Sequence, residues 1–90
     1  MKPPPWRVVV SGPAARDLER LPEKAAAAIV ETFQTIAADP RTVGKPLRLE
    51  LEGLWSARRG PYRVIYRIDE DEQVVVVVAV GHRADVYRQR

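Results

Sequence analysis

Residues 54–68 read LWSARRGPYRVIYRI, and this stretch decides the fold. Two strand-like segments, Leu54–Arg59 and Tyr62–Ile68, flank the dipeptide Gly60-Pro61. A two-residue turn with glycine in its first position suits the type II′ geometry that closes a tight β-hairpin. The stretch therefore predicts two antiparallel strands joined by a two-residue turn.

The predicted hairpin has two different faces. Alternation places one apolar set on the face that we expect beneath the helices, namely Trp55, Ala57, Val64, Tyr66 and Ile68. The opposite face carries Arg58, Arg63 and Arg67, and the register puts Arg58 directly across from Arg63. Because like charges directly opposite each other destabilise a sheet, this pairing indicates that an anion normally lies between the two arginines.

The N-terminal half predicts a short strand followed by two helices. Trp6–Val10 has strand character, and Ser11-Gly12-Pro13 opens a first helix that runs to about Leu21. A second helix covers about residues 22–38 and carries an apolar stripe at the spacing of a core-facing helix. Asp39-Pro40 ends this helix, and a basic loop leads from there into the hairpin.

A third C-terminal strand decides where the chain leaves the sheet. Gln73–Val80 follows an acidic turn at residues 69–72 and is apolar on both faces, which favours a central position. A four-residue turn pairs Arg63 with Val78 and ends the strand at Gly81, beside the turn of the first hairpin. We expect this sheet end to collect five candidate catalytic residues: Arg58, Arg63, His82, Arg83 and Tyr87.

Together these elements predict a small α+β domain of order β-α-α-β-β-β. A helical hairpin packs on one face of a small, mostly antiparallel twisted sheet. Ninety residues make a single domain, residues 1–90, with a proline-rich arm at residues 1–5 and a polar tail at residues 82–90. The longest apolar run, Val74–Val80, is too short to cross a bilayer, and the arm lacks the apolar stretch of a secretion signal. We therefore expect a cytoplasmic protein without a membrane partner.

The charge distribution indicates a polyanionic partner, either a nucleic acid or an acidic protein. The formal net charge is +3, with 12 arginines and 3 lysines, and arginine is the better bidentate ligand for phosphate. Between Arg41 and Arg67 the chain carries seven cations and only two anions. An ordinary solvated basic surface is the alternative. Five of these cations are candidates for binding RNA: Arg41, Lys45, Arg48, Arg59 and Arg67.

The residue types exclude several kinds of catalysis. With one histidine and no cysteine, and with acidic residues gathered at residues 69–72, no metal-binding cluster is predicted. No phosphate-binding loop, dinucleotide fingerprint or serine with a plausible base partner occurs in the sequence. We therefore expect neither a metal nor a cofactor.

The arginines suit a reaction in which a phosphate gains negative charge. Cleavage of RNA by its own 2′-hydroxyl needs neither a metal nor a protein nucleophile. Arg58, Arg63 and Arg83 would stabilise the phosphate in such a reaction. His82 would transfer protons, and Tyr87 would donate or accept a proton or stack on a base. An ordinary surface histidine and a tyrosine packed on the sheet are the alternatives.

Two motifs in the C-terminal half resemble a known family. The first motif runs from Arg58 to Tyr66 and contains Gly60 and Tyr62-Arg63-Val64-Ile65-Tyr66. The second motif is Gly81-His82-Arg83-x-Asp85-Val86-Tyr87. Together with shorter matches over residues 6–88, they resemble the RelE/ParE superfamily of bacterial toxin–antitoxin systems, and its RelE branch best. The resemblance implies the β-α-α-β-β-β order. It also implies a metal-independent endoribonuclease that cuts messenger RNA on the ribosome and is neutralised by a RelB-like antitoxin, with no small-molecule substrate.

The resemblance also assigns roles to single residues. It implies that Arg63 and Arg83 stabilise the phosphate and that Tyr87 orients or activates the 2′-hydroxyl. Arg58 occupies a position where the family often has a catalytic or RNA-binding cation. Many relatives carry a further Lys or Arg two residues earlier, where this chain has Ser56. A ParE-like inhibitor of DNA gyrase and a weakly active RNA-binding relative are the alternative functions.

Overall fold

A computed structural model describes residues 5–84 and 86 of the chain. In chain order, its elements are β1 (Arg7–Val10), α1 (Gly12–Glu19), α2 (Glu23–Ala38), α3 (Pro40–Val43), β2 (Lys45–Pro46), a 3-10 helix (Leu49–Leu51), β3 (Trp55–Arg59), β4 (Tyr62–Asp69) and β5 (Val74–His82). The predicted α+β class is confirmed, with the helical pair and the C-terminal strands in the expected order. None of the helices within the described residues combines the length and apolarity needed to span a membrane.

The sheet has five strands in the order β1-β5-β4-β3-β2. β1 runs parallel to β5, whereas the other neighbouring strands are antiparallel. β5 therefore has a partner on each side, which agrees with its predicted central position.

The prediction of a plain loop after α2 is wrong, because this segment contains α3 and β2. Asp39 ends α2, and its carbonyl oxygen then accepts the backbone N–H groups of Thr42 and Val43, each at 3.1 Å. Pro40 occupies the first turn of α3, where its fixed φ suits a helix and its missing N–H costs nothing. The same Asp-Pro pair therefore ends one helix and begins the next.

The register of the β3–β4 hairpin is confirmed. Arg59 pairs with Tyr62, and Arg58 pairs with Arg63. Gly60 has a φ of 57°, and the ring of Pro61 holds a negative φ, which is the type II′ pattern. Local turn chemistry and side-chain alternation were sufficient to define this hairpin.

The predicted register of the β4–β5 hairpin is wrong. Asp69 pairs with Val74, so the connecting loop is residues 70–73 instead of 69–72. The register also shifts between Ile65 and Tyr66, which adds one residue to β5. As a result Arg63 lies opposite Gly81, not opposite Val78.

A buried carboxylate accompanies the irregular part of β5. β1 ends at Val10, and beyond it α1 runs beside β5. Asp17 of α1 is only 6% exposed, and its Oδ2 accepts the backbone N–H of Val80 at 2.9 Å. Ser11 caps the same helix by accepting the N–H of Ala14 at 3.2 Å. Asp17 thus supplies the hydrogen-bond acceptor that β1 no longer provides.

The core lies between the helices and one face of the sheet. Its buried members are Ala14, Ile29, Phe33, Ile36, Ala57, Val64, Tyr66, Val75, Val77 and Val80. Trp55 and Ile68 pack against this cluster, so all five hairpin residues predicted to face the helices do so. Burying each large apolar side chain contributes about 1.5–3 kcal/mol. The opposite face of the hairpin is left for the arginines.

Candidate active site

A groove of about 380 Å³ opens on the sheet face that α1 and α2 leave uncovered. Its lining residues are Val43, Lys45, Ser56, Arg58 and Arg63, and we call it the basic groove. Three of the five are cations and none is an acid. Such a groove is complementary to an anion.

Strand pairing explains why these cations converge. Arg58 and Arg63 are direct partners across β3 and β4. Lys45 is the partner of Ser56 across β2 and β3, and Ser56 lies on the same face as Arg58 because the two are two residues apart. Within the described residues, Lys45, Arg58 and Arg63 form no ion pair. Among the described residues, no acidic side chain therefore offsets the repulsion between these three cations.

The chain beyond β5 returns towards the groove face. Gly81 pairs with Arg63, and a Cβ atom added to Gly81 would lie 3.6 Å from Cβ of Val86. Val86 is only 4% exposed, so it packs over the sheet beside Arg63. The backbone N–H of Arg83 donates to the Pro61 carbonyl at 2.9 Å, which fixes Arg83 at the same sheet end.

Tyr87, predicted to handle the 2′-hydroxyl, lies outside the described residues. Val86, the residue before it in the sequence, is described and packs over Gly81. The assignment of Tyr87 to the site remains a prediction.

The expectation that His82 joins the arginines is wrong in its geometry. His82 pairs with Tyr62, and the two rings meet edge to face at 6.0 Å. Both rings line a second depression of about 290 Å³, which also includes Asp17 of α1 and Arg20, the residue that follows this helix. Because successive residues of a strand point to opposite faces, His82 points away from the face shared by Gly81 and the groove.

Arg59, predicted to bind RNA, is engaged on the helix side. Its guanidinium donates to Oγ1 of Thr32 at 3.1 Å and to Oε1 of Glu31 at 2.8 Å. Thr32 in turn donates to the carbonyl of Ala28 one helical turn earlier, at 2.9 Å. Arg59 thus joins β3 to α2.

Arg41, another RNA-binding candidate, lies at the far end of the sheet from the basic groove. It forms an ion pair with Glu70 in the β4–β5 loop. Its guanidinium carbon also lies 5.7 Å from the centre of the Trp6 ring. These contacts tie the start of α3 to that end of the sheet.

The three remaining RNA-binding candidates are Arg67, Arg48 and Lys45. Arg67 shares the face of Arg63 and lies 4.0 Å from a carboxylate oxygen of Asp69. Arg48 is exposed just before the 3-10 helix. Of the five candidates, only Lys45 lines the basic groove.

A buried tyrosine, whose role at the site was not identified from the sequence, positions Lys45. The hydroxyl of Tyr66 donates to the Pro40 carbonyl at 2.6 Å, and burial raises the pKa of Tyr66 to about 12. A Cβ atom on Gly44 would fall 2.9 Å from Cζ of Tyr66 and closer still to its hydroxyl. Only glycine fits there, so the chain passes tightly over Tyr66 just before Lys45. The sequence did contain a signal for this contact. It places a tyrosine on the apolar face of the hairpin, and a buried hydroxyl group requires a hydrogen-bond partner.

Comparison with known proteins identifies the family to which this fold and groove belong. A family model described as the ParE toxin of type II toxin–antitoxin systems matches residues 8–87. The chain belongs to this toxin family. The sequence-based resemblance to the RelE/ParE superfamily is confirmed.

The similar proteins are RelE-type toxins. The chain is 50% identical to the toxin RelG of Mycobacterium tuberculosis over 86 residues, which cover 94% of this chain and 99% of RelG. It is 51% identical to the toxin RelE of the same organism over 85 residues, which cover 93% and 88% of the two chains. A crystal structure of the M. tuberculosis toxin–antitoxin complex RelBE2 matches with a TM-score of 0.86 and 49% identity, covering 93% of this chain and 98% of the other. The chain is a RelE-family toxin.

Proposed function

We propose that this RelE-family toxin is a metal-independent endoribonuclease that cleaves messenger RNA on the ribosome, in the bacterial cytoplasm. The observation that carries the proposal is the basic groove, where Arg58 and Arg63 face each other with no acidic partner among the described residues. A sheet accepts such a pair at a cost in stability. A phosphate between the two guanidinium groups would offset that cost.

The proposed reaction transfers the phosphate within the RNA. The 2′-oxygen forms a bond to the adjacent phosphorus as the bond from phosphorus to the 5′-oxygen breaks. A base takes the proton of the 2′-hydroxyl, and the departing 5′-oxygen receives a proton. The products are a 2′,3′-cyclic phosphate and a 5′-hydroxyl end.

The arginines serve charge stabilisation in this scheme. Arg58 and Arg63 would hold the phosphate oxygens as negative charge accumulates, and Arg83 lies at the same sheet end. Arginine stays protonated in proteins and cannot act as the base. The resemblance assigns the 2′-hydroxyl to Tyr87. The placement of His82 on the opposite face favours a surface role for that residue.

A RelB-like antitoxin is the proposed protein partner. The crystallised M. tuberculosis relative is a toxin–antitoxin complex, and the basic groove offers an acidic segment three cations. We expect a partly disordered antitoxin segment to fold across the groove or to displace the C-terminal tail. A complex structure that leaves both surfaces uncovered would contradict this.

The test of the ribonuclease proposal is cleavage of ribosome-bound messenger RNA in the presence of EDTA. The purified toxin should cut the message and leave a cyclic or 3′-phosphate end. Arg63→Ala should cut about 10²–10³-fold more slowly. Arg59→Ala is the matched control, because it removes an arginine four positions earlier that is engaged by α2.

Inhibition of DNA gyrase is the second candidate, because the matching family model is named for ParE. A supercoiling assay with purified gyrase tests it directly. If the toxin leaves ribosome-bound RNA intact but blocks supercoiling, then the ribonuclease proposal is wrong.

A further inference from the structure

Lys45 lies in the basic groove through its pairing with Ser56, not in a separate RNA-binding loop. We propose that the ammonium group of Lys45 contacts a non-bridging oxygen of the scissile phosphate, as the third cation beside Arg58 and Arg63. This inference rests on the proposed ribonuclease function, and it names a residue of β2 as part of the phosphate site.

The distances within the sheet allow this contact. Directly opposed residues of antiparallel strands have Cβ atoms about 4.5–5.5 Å apart, and diagonal neighbours about 7–8 Å, which long side chains can bridge. Lys45 is opposite Ser56 and diagonal to Arg58, which is itself opposite Arg63. The three cationic side chains therefore surround one space. The short side chain of Ser56 leaves room for the lysine stem to extend across it.

The backbone of Lys45 is fixed on both sides. Before it, Gly44 packs against Tyr66, whose hydroxyl is bonded to the Pro40 carbonyl. After it, Pro46 pairs with Trp55 in the sheet. The next N–H, that of residue 47, donates to the carbonyl of residue 54 at 2.9 Å. A cation on such a rigid base needs little rearrangement when charge develops on a phosphate.

The charges around Lys45 favour a negatively charged ligand. The lining of the groove has no acidic side chain, and Lys45 forms no ion pair within residues 5–84 and 86. The acids that engage other candidate cations lie elsewhere: Glu31 binds Arg59, and Glu70 binds Arg41. Lys45 therefore differs from both in having its charge available to substrate.

The pairing also offers a substitute for the Lys or Arg that many relatives carry at the position of Ser56. An ammonium group that arises from β2 enters the same groove that a long side chain at position 56 on β3 would enter. Because the two positions are direct strand partners, we expect a cation at either of them to reach the same space. This makes the inference testable by moving the charge across the strand pair.

The experiment measures single-turnover cleavage of ribosome-bound RNA by a set of variants. Lys45→Ala and the uncharged polar variant Lys45→Gln should each slow the chemical step by about 10²-fold, the loss typical of one preorganised donor. The double variant Lys45→Ala/Ser56→Lys should recover most of the rate. The matched control Lys24→Ala removes an exposed lysine from the first turn of α2 and should cut as the wild type does.

A second double variant separates a specific contact from general attraction. Lys45→Ala/Thr42→Lys restores the net charge at an exposed position of α3 that does not line the groove. It should remain slow. Equal recovery by both double variants, or full activity of Lys45→Ala, would overturn the inference while leaving the ribonuclease function intact.

If the wild type cuts no RNA, a binding measurement tests whether Lys45 contacts the phosphate. The probe is a trinucleotide with 2′-deoxyribose at the scissile position, titrated into each folded variant and followed by NMR. Weaker binding by Lys45→Ala, regained with Ser56→Lys but not with Thr42→Lys, supports the phosphate contact. Equal affinity in all variants overturns it. Failure of the ribonuclease proposal and failure of this inference are therefore distinguishable.

Discussion

Arg58 and Arg59 are neighbours in the sequence, yet they serve opposite faces of the same strand. Arg59 donates to Thr32 and Glu31 and so connects β3 to α2. Arg58 lines the basic groove opposite Arg63, with no acidic partner among the described residues. The pleat of one strand therefore divides two identical side chains into one that supports the fold and one that lines an open groove.

The same division extends across the sheet. On the helix face, polar groups are paired: Tyr66 with the Pro40 carbonyl, and Asp17 with the Val80 N–H. In the basic groove on the other face, Lys45, Arg58 and Arg63 lie close together without an ion pair among the described residues. Substitutions on the helix face should therefore change stability, whereas substitutions on the groove face should change chemistry.

The largest expected effect lies on the groove face. Arg63→Ala should reduce the rate of RNA cleavage by about 10²–10³-fold, because under the proposed function it removes a preorganised cation from the scissile phosphate. Single-turnover kinetics measure this rate, and thermal melting should show that the variant remains folded. Cleavage at the wild-type rate would mean that the basic groove is not the active site.

The second effect lies on the helix face. Tyr66→Phe removes the hydrogen bond to Pro40 and leaves that carbonyl unsatisfied, which should cost about 1–3 kcal/mol of unfolding free energy. Urea denaturation at neutral pH measures the loss. An unchanged midpoint would show that the hydroxyl does not hold α3 to the sheet.

Tyr66 also predicts a pH dependence. Its pKa is raised to about 12 by burial, so the folded state retains the proton that an unfolded tyrosine loses near pH 10. The corresponding stability is complete below pH 10 and is lost as the pH rises towards 12, by about 2–3 kcal/mol. Tyr66→Phe should lack this part of the alkaline decline, and an identical decline in both proteins would contradict the assignment.

A smaller effect is expected for Arg59→Ala. The contacts of Arg59 with Thr32 and Glu31 are partly exposed, so their loss should lower stability by about 1 kcal/mol or less. RNA cleavage should stay at the wild-type rate. A cleavage defect as large as that of Arg63→Ala would remove the distinction between the two faces.

The smallest expected effect is a gain in stability. Arg58→Thr relieves the repulsion across the hairpin from Arg63 and should stabilise the free protein by about 0.2–1 kcal/mol. The gain should shrink as salt screens the two charges, and cleavage should slow. Melting curves at low and high salt measure it. A lower melting temperature at low salt would show that the two guanidinium groups do not repel each other.

The turn dipeptide and the alternation of side chains were enough to predict the β3–β4 hairpin from the sequence. Gly60-Pro61 admits few turn geometries, and the two-residue period of a strand then assigns every side chain to a face. The pairing of Arg58 with Arg63, and the burial of Ala57, Val64 and Tyr66, follow from these local rules.

Tertiary structure alone decided the features that depend on distant partners. The extra residue of β5 reverses the face of His82, and the Val80 N–H beside it is satisfied by Asp17, 63 positions earlier in the chain. β2 lies where Tyr66 holds Pro40 and Gly44, and its pairing brings Lys45 opposite Ser56. Sequence periodicity shows which side chains alternate. In this chain, the bulge of β5 and the short edge strand β2 instead accompany hydrogen bonds between residues that are distant in the sequence. The sequence thus determined the arginine pair, and the tertiary structure decided that the lysine, and not the histidine, joins it.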